Sequence, residues 1–299
     1  MQMPPVNRIR FLEAGLAVAV WGGSFVATKL ALRDVAPATV VWLRFAVGVA
    51  VLGGATAARR QFARLGWREA GYFALLGFIG ITFHQWLQST GLETAQASTT
   101  AWIVSTTPVF MALLGRFFLK EKLGAARVLG IGLAAAGVLL VVSRGDWRSL
   151  RLGSFGAPGD WLILISALNW AVFSVLSRPG LQRHPAGGMM FYVMAAGWVF
   201  SSAAFFGGPG LADLPRLTPS GWLAVGFLGL FASGLAYIFW YDALKAMPAS
   251  QVGVFLYLEP LVTVVVAAML LQEAVVWASL LGGGAILLGV WLVNRAAGP

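Results

Sequence analysis

The chain has 299 residues, of which 59% are hydrophobic and only 11% are charged. Soluble domains carry about 25% charged residues, so this composition excludes an ordinary soluble protein and indicates lipid as the solvent. The absence of Cys excludes disulfides and thiolate metal sites, and a net charge of +10 is typical of basic cytoplasmic loops rather than of nucleic-acid binding.

Ten apolar runs follow one another along the chain, each of roughly the 20 residues that a helix needs to cross a bilayer. No small-residue cleavage site closes the first run, so we interpret it as a helix and not as a signal peptide. Helix is the only open-chain structure that satisfies its backbone in lipid. The sequence therefore predicts an all-α integral membrane protein with transmembrane helices over 11–32, 38–58, 69–91, 95–119, 124–143, 159–178, 186–206, 220–243, 248–271 and 275–294.

The second half of the chain repeats the first. At an offset of 152 residues, Pro108 corresponds to Pro260, Glu121 to Glu273, and Gly130, Gly132 and Gly137 to Gly282, Gly284 and Gly289. Each unit holds five helices, and because five is odd the second unit crosses the membrane in the opposite sense. We expect two inverted five-helix repeats over 11–143 and 159–294, joined by an outer linker over 144–158.

Basic residues predict the orientation. When the ten helices alternate in direction, fourteen of the 21 Lys and Arg residues lie on the side of the N-terminus and five on the other side. Cytoplasmic segments are the ones enriched in Lys and Arg. We therefore predict that the N-terminus and the C-terminus are both cytoplasmic.

Pro108 and Pro260 lie at matched positions inside the fourth and ninth helices. Pro removes a backbone donor and disrupts the preceding helical turn. Paired helix breaks in an inverted repeat indicate a central binding site, where these residues would act as gating or helix-break positions. A packing kink is the alternative interpretation.

Charged groups are rare at membrane depth, where each costs about 2.5–3.5 kcal/mol at a helix centre. Lys29 and Arg44 either bind a substrate carboxylate or have structural roles, with Lys29 reaching the outer headgroups and Arg44 pairing with a carboxylate such as Glu259 or with helix-end carbonyls. His84 and Glu259 are candidates for proton coupling, although a lone buried His is often only hydrogen-bonded.

Aromatic and polar side chains complete the predicted substrate cavity. Trp and Tyr residues near helix ends are typical of interfacial belts, whereas those deeper in the helices line a cavity or pack in the core. The candidate cavity residues are Trp21, Ser24, Arg44, His84, Trp86, Gln88, Trp102, Ser105, Thr106, Asn169, Trp170, Tyr192, Tyr237, Tyr257 and Glu259.

Two further features suggest structural roles. Glu121 and Glu273 precede the Gly-rich fifth and tenth helices, and we expect each carboxylate to stabilise the N-terminus of the helix that follows it. The Gly residues themselves predict close helix packing, or a dimer interface. The sequence contains no His-Glu-x-x-His motif, no P-loop and no Gly-x-Ser-x-Gly motif, so we expect no catalytic residue, no metal and no cofactor.

Several motifs together resemble the EamA repeats of the drug/metabolite transporter superfamily, over nearly the whole chain. They are Trp-Gly-Gly-Ser-Phe-Val-Ala-Thr-Lys over 21–29, Arg44, Thr107-Pro108 with Leu-Lys-Glu-Lys-Leu over 119–123, and Glu259-Pro260 with Leu271-Gln-Glu273. Within the superfamily the chain is most similar to bacterial exporters of aromatic amino acids. At an offset of 148 residues the copies differ, because Lys29 corresponds to Ser177 and Arg44 to Tyr192, so the site is expected to be asymmetric.

The resemblance implies an alternating-access carrier of the bacterial inner membrane that exports amino acids or related small metabolites. The first four helices of each repeat would line a central cavity, with the fifth and tenth outside it. A nucleotide-sugar or sugar-phosphate exchanger and a multidrug cation exporter of the same superfamily remain alternatives. Its partners would be a small-molecule substrate and the lipid bilayer, in a monomer or a homodimer.

Overall fold

The computed structural model describes residues 5–118, 124–146, 156–247 and 249–295, and these residues form helices and turns without a strand. Ten helices within them are long and apolar enough to cross a membrane, as predicted. They are α1 (Arg8–Ala31), α2 (Pro37–Ala58), α3 (Trp67–Thr94), α4 (Ala97–Phe118), α5 (Ala125–Ser143), α6 (Pro158–Arg183), α7 (Ala186–Gly207), α8 (Pro219–Ala246), α9 (Gln251–Leu270) and α10 (Trp277–Arg295).

Eight helices form a ring, in the order α1, α8, α2, α7, α3, α6, α4, α9 and back to α1. Helices of the first repeat therefore alternate with helices of the second at every step. The remaining pair, α5 and α10, packs together outside the ring beside α4. We call the end of the ring at which α1 begins and α10 ends the termini end, and the opposite end the far end.

Both predicted helix breaks are present. Ser105 and Thr106 separate the two helical segments of α4, Ala97–Val104 and Thr107–Phe118. In α9 a 3-10 turn, Phe255–Leu258, precedes the α-helical segment that begins at Glu259. The hydroxyl of Thr263 donates to the carbonyl of Glu259 at 2.9 Å and lies 2.8 Å from that of Gly22 in α1, so carbonyls near this break have a polar partner.

Two further irregularities have no counterpart among the sequence predictions. The middle of α3 is a π-helix over Phe78–Phe83, and the middle of α8 is a π-helix over Leu228–Leu235. Because the first segment corresponds to residues 230–235 at the 152-residue offset, and so falls within the second segment, the irregularity belongs to the repeated unit. A π-helical segment widens the backbone and leaves carbonyls that need partners from neighbouring helices.

The Gly-rich faces of α5 and α10 pack against each other, as the sequence predicted. A Cβ atom added to Gly137 would lie 2.5 Å from the carbonyl oxygen of Gly282, and one added to Gly130 would lie 2.6 Å from that of Gly289. Only Gly permits backbones to approach this closely. Each contact joins the two repeats, because Gly130 of the first repeat faces Gly289 of the second and Gly137 faces Gly282.

The ring is closed at the far end. The far-end segment of α4, Ala97–Val104, packs against α9 through Glu259–Leu270. The other segment, Thr107–Phe118, packs instead against α6, α10 and α5. Helices α4 and α9 therefore meet in their far-end halves, and the space between the helices widens toward the termini end.

Candidate functional site

A cavity of about 520 Å³ opens at the termini end. This volume lies within the roughly 300–1,000 Å³ of small-molecule sites. Helices α2, α7 and α8 supply most of its walls, with one residue of α6. The lining residues are Leu52, Ala55, Thr56, Arg59, Gln61, Leu181, Pro185, Ala186, Gly187, Tyr237, Ile238, Tyr241, Asp242, Leu244 and Lys245.

The deep end of the cavity is aromatic. The ring of Trp21 lies 5.6 Å from that of Tyr237 and 5.3 Å from that of Trp240, and Tyr237 lies 6.4 Å from Tyr241. The structure therefore brings the predicted residues Trp21 and Tyr237 together. Trp240 and Tyr241 complete the cluster, which the sequence prediction missed because both lie close enough to a helix end to suggest an interfacial belt.

Arg44 is buried beside this cluster, and its described polar partners are neutral. Its Nε donates to the hydroxyl of Ser233 at 3.0 Å, and its Nη1 donates to the side-chain oxygen of Gln85 at 2.9 Å. Ser233 lies one helical turn from Tyr237 on α8. The structure corrects the expectation of a carboxylate or helix-end carbonyl partner, since neither hydrogen-bonds to Arg44 among the described residues. An uncompensated buried cation attracts an anionic group.

Glu259 lies half-buried at the break of α9. Its backbone carbonyl accepts from Thr263, whereas its carboxyl group makes no ion pair within the described part of the chain. The carboxyl group is therefore available to a ligand or a proton at membrane depth. Arg44 and Glu259 are thus a basic and an acidic group that form no ion pair among the described residues.

An ion pair lies at the mouth of the cavity. Both terminal nitrogens of Arg59 donate to the carboxylate of Asp242, at 2.7 and 2.8 Å. Hydrogen bonding to this carboxylate raises the pKa of Arg59. Thr56, one turn deeper on α2, is buried, and its hydroxyl has no hydrogen-bond partner among the described residues. The mouth of the cavity therefore presents a basic and an acidic side chain, Arg59 and Asp242, to an entering molecule.

Trp102 does not line the cavity, contrary to the prediction. Its indole N–H donates to the hydroxyl of Ser279 at 3.1 Å, and its ring packs against the backbone of Gly283 on α10. The side chain is fully buried between α4 and α10. It points outward from the ring because α4 presents one face to α10 and another to α9.

Three other predicted residues, Trp86, Tyr192 and His84, do not line the cavity. Trp86 is 45% exposed in a groove beside Phe78 and Phe83, so it does not reach the cavity. The hydroxyl of Tyr192 donates to the carbonyl of Ala63 at 2.8 Å, which fixes it at the termini end. His84 is buried between α3 and α6, where its ring lies 4.8 Å from that of Trp170.

Asn169 has a structural contact with α3. Its amide N–H donates to the carbonyl of Ile79 in the π-helical segment at 2.8 Å. Trp21, its counterpart in the first repeat, donates to the carbonyl of Ala232 in the other π-helical segment at 3.1 Å. Each residue thus binds a carbonyl of the third helix in the opposite repeat.

The remaining predicted polar residues bind their own helices or pack nearby. Ser24, Ser105 and Thr106 each donate to a backbone carbonyl one turn earlier, at 2.6 to 2.8 Å. Gln88 is buried on α3, and the hydroxyl of Tyr257 accepts from Asn294 of α10 at 3.0 Å. These contacts satisfy the hydroxyl groups internally and reduce their availability to a ligand.

Pro108 lies in a second cavity, of about 470 Å³, between α4, α6 and α10. Its companions there include Met111, Val172, Val175 and Val293. The two proline breaks are therefore not equivalent in their surroundings. Pro260 is buried in the contact of α9 with the rest of the ring.

Lys29 neither reaches headgroups nor lies free for a ligand. Its ammonium group donates to the carbonyls of Leu92, at 3.1 Å, and Ala95. These carbonyls end α3, where a cation meets the negative end of the helix dipole. Lys29 therefore fastens the turn between α3 and α4 to α1.

Glu273 stabilises a helix N-terminus, but not the predicted one. Its carboxylate accepts from the N–H groups of Ala97 and Ser98, at 2.8 and 3.1 Å, and from the hydroxyl of Ser98 at 2.6 Å. It thus binds the start of α4 in the other repeat, and not that of α10. Glu121 lies outside the described residues.

No group of three or more His, Cys, Asp or Glu side chains in the described ranges is placed to hold a metal ion. The polar groups that could meet a ligand are those of the cavity and its deep end, above all Arg44, Tyr237, Glu259 and the Arg59–Asp242 pair. This arrangement suits reversible binding of a small polar molecule with an apolar portion.

Comparisons with known proteins agree with this architecture. The model of the EamA-like transporter family matches residues 12–143 and again residues 157–295. A solved crystal structure has a TM-score of 0.65 with this chain at 23% sequence identity, covering 97% of this chain and 99% of the other. It supports the fold alone.

Two relatives span almost the whole chain. An uncharacterized transporter of Archaeoglobus fulgidus is 28% identical, covering 97% of this chain and 98% of the relative. A protein of Streptantibioticus cattleyicolor is 27% identical over 94% of this chain and 91% of its own length, and is named a probable terminal-alkyne amino-acid exporter.

Proposed function

Because the chain belongs to the EamA-like transporter family and is a multi-pass membrane transporter, we propose that it exports amino acids or related small metabolites by alternating access. The observation that carries this proposal is the one-sided cavity, which opens at the termini end while α4 and α9 meet at the far end. A carrier with a central site exposes it to one side at a time, and this arrangement has the features of one such state.

The proposed sidedness follows from charge. The termini end carries most of the Lys and Arg residues, so we assign it to the cytoplasm and the far end to the outside of a bacterial inner membrane. The structure described here is then inward-facing. The repeats over 11–143 and 159–294 alternate around the ring, so opening must occur between neighbouring helices of opposite repeats and not by separation of two blocks.

The proposed site for an amino acid combines Arg44 with the aromatic cluster. Arg44 would bind the carboxylate, since its planar guanidinium suits such a group and its described partners Ser233 and Gln85 are neutral. Trp21, Tyr237 and Trp240 would contact an apolar or aromatic side chain. The exporter from Streptantibioticus cattleyicolor supports this substrate class by its name.

A second candidate is a multidrug cation exporter. The aromatic cluster favours it, as does the carboxyl group of Glu259, which forms no ion pair in the described ranges. A nucleotide-sugar or sugar-phosphate exchanger has less support, because Lys29 is engaged by the carbonyls of Leu92 and Ala95 and leaves Arg44 as the cation beside the aromatic cluster. Glu259 is also the proposed proton carrier in a coupled cycle. His84, packed on Trp170, is the weaker candidate for that role.

Counterflow into proteoliposomes tests the proposal. Vesicles loaded with unlabelled aromatic or aliphatic amino acids should accumulate the labelled compound transiently and saturably. Parallel vesicles should hold a sugar nucleotide or an aromatic cation. Exchange of either alternative without exchange of any amino acid would contradict amino acid export and select the corresponding alternative.

A further inference from the structure

Three carboxylates at the far end accept hydrogen bonds at the starts of helices. Asp213 accepts from the N–H of Ala36 at 2.9 Å and from the hydroxyl of Thr39 at 2.7 Å. Asp34 accepts from the N–H and hydroxyl of Thr218, at 2.9 and 2.6 Å. Together with the three hydrogen bonds of Glu273, these contacts give seven hydrogen bonds to three side chains at one end of the ring.

Each of the three carboxylates crosses between the repeats. Asp213 of the second repeat binds the start of α2, Glu273 of the second repeat binds the start of α4, and Asp34 of the first repeat binds the start of α8. Hydrogen bonds to a charged acceptor are shorter and stronger than neutral ones, and a helix N-terminus adds a favourable dipole. The far end is therefore fastened by contacts that join neighbouring helices of opposite repeats.

The backbone positions Glu273 for this contact. Gln272 adopts a left-handed conformation, with φ of 56°, and the N–H of Glu273 returns to the carbonyl of Ala267 at 3.3 Å. This turn ends α9 and directs the Glu273 carboxylate at Ala97 and Ser98. Lys29 of α1 binds the same α3–α4 turn that Glu273 contacts, through the carbonyls that end α3.

The termini end lacks this arrangement where it is described. Helices α5 and α7 begin there at Gly124 and Pro185 without a side-chain cap, and the start of α3 is bound by its own Glu69. The contacts that join helices of opposite repeats at this end include the ion pairs Arg59–Asp242 and Glu69–His184. The two ends of an otherwise repeated structure are thus held by different chemistry.

We propose that Asp34, Asp213 and Glu273 form the far-end gate of the transport cycle. They are positioning residues that contact no substrate, and their hydrogen bonds break when the far end opens. The inference rests on the proposed alternating access and extends it by naming the contacts that set the balance between the two states. Loss of one carboxylate shifts that balance toward the far-end-open state.

Thiol labelling tests the gate, because the natural chain has no Cys and gives no background. A single reporter is placed at Thr28→Cys, since Thr28 is buried on α1 one residue before Lys29. A membrane-impermeant maleimide is applied separately to intact cells and to inverted vesicles. Glu273→Gln, Asp213→Asn and Asp34→Asn should each raise the labelling rate from the far side by roughly tenfold, as expected for loss of a charge-assisted hydrogen bond.

Glu93→Gln is the matched control, since Glu93 is an exposed acid beside the same turn. It should leave the labelling rate unchanged. If none of the three gate variants raises far-side labelling while all keep the thermal unfolding temperature of the reporter chain, the gate is refuted. An equal rise in the labelling rate of Glu93→Gln also refutes the gate. Loss of any negative charge at the far end would then be enough to raise the labelling rate.

A second variant, with two introduced Cys residues, still tests the gate if one of the Asn or Gln variants misfolds. Asp34→Cys together with Thr218→Cys places two thiols across the gate, and oxidation should stop counterflow while reduction restores it. Unimpaired counterflow by the oxidised chain overturns the proposal. Labelling needs no transported substrate. A reporter that responds without amino acid counterflow would therefore remove the proposed substrate class and keep the gate. Amino acid counterflow with an unresponsive reporter would remove the gate and keep the proposed function.

Discussion

Trp21 and Asn169 make equivalent hydrogen bonds from opposite repeats. The indole N–H of Trp21 donates to the carbonyl of Ala232, and the amide of Asn169 donates to the carbonyl of Ile79. Both carbonyls belong to π-helical segments. The duplicated architecture thus retains one contact made by two chemically different side chains, and only Trp21 also contributes a ring to the aromatic cluster.

Because of this difference, substitutions of the two residues can separate the effect of the hydrogen bond on stability from the effect of the Trp21 ring on transport. Asn169→Leu removes one partly buried hydrogen bond and should lower the free energy of unfolding by about 0.5–1.5 kcal/mol. Transport per folded molecule should remain close to that of the natural chain. Trp21→Leu removes the equivalent bond and also the ring beside Tyr237, so transport should fall as well. Thermal unfolding in detergent and counterflow, measured on the same preparations, check both expectations; equal transport in the two variants would contradict them.

The α5–α10 contact provides a test with internal controls. Gly137→Ala would place a methyl group 2.5 Å from the carbonyl oxygen of Gly282, and such overpacking should destabilise the protein by about 1–3 kcal/mol. Gly132→Ala, five residues earlier on α5, meets nothing within 4 Å and should be neutral or stabilising. Thermal unfolding of the two variants in the same detergent measures the difference. A similar loss in both would show that Gly137 does not mark a close contact.

The spans, the repeat and the helix breaks could be predicted because each depends on a local signal: run length, matched residues or a Pro. The direction of each Trp could not be predicted in the same way. In a soluble helix the polar face marks the solvent side, whereas here lipid, neighbouring helices and cavity all contact apolar surface. Trp102 and Trp21 therefore gave the same sequence signal, yet one faces α10 and the other the cavity.

Contacts between distant residues were also beyond sequence reasoning. Glu273 was expected at the start of the next helix, because that helix is adjacent in the chain. Its carboxylate instead binds Ala97 and Ser98, on a helix that the ring brings beside α9. The π-helical segments Phe78–Phe83 and Leu228–Leu235 likewise contain ordinary apolar residues, and no turn or Pro marks them.

Arg44 is expected to decide the affinity for a carboxylate. Arg44→Gln should raise the KM of amino acid counterflow by roughly tenfold to a hundredfold, which corresponds to one lost charge-assisted hydrogen bond of about 1.5–3 kcal/mol. Arg44→Lys keeps the charge but loses the planar geometry, so its KM should lie between the two. Arg64→Gln, on the exposed loop at the termini end, is the control. An unchanged KM in folded Arg44→Gln would remove Arg44 from the site.

Glu259 can be tested as the proton carrier. If it takes up and releases a proton during the cycle, Glu259→Gln should abolish the response of transport to a pH gradient while exchange at equal pH continues. His84→Asn should retain the response, because His84 is packed against Trp170 between α3 and α6. Counterflow with and without an imposed gradient measures both. A pH response that survives in Glu259→Gln and disappears in His84→Asn would exchange their roles.

The two proline breaks should differ in importance, although they match in sequence. Pro260 is buried where α9 meets the rest of the ring, next to the carbonyl of Glu259 that Thr263 binds. Pro108 lies in the separate cavity beside α6 and α10. Restoring a regular helix with Pro260→Ala should therefore reduce transport at least severalfold more than Pro108→Ala, with similar thermal unfolding temperatures. Equal losses of transport in the two variants would indicate that both breaks lie at the substrate path. If stability falls in parallel with transport in both variants, both prolines have a structural role in helix packing.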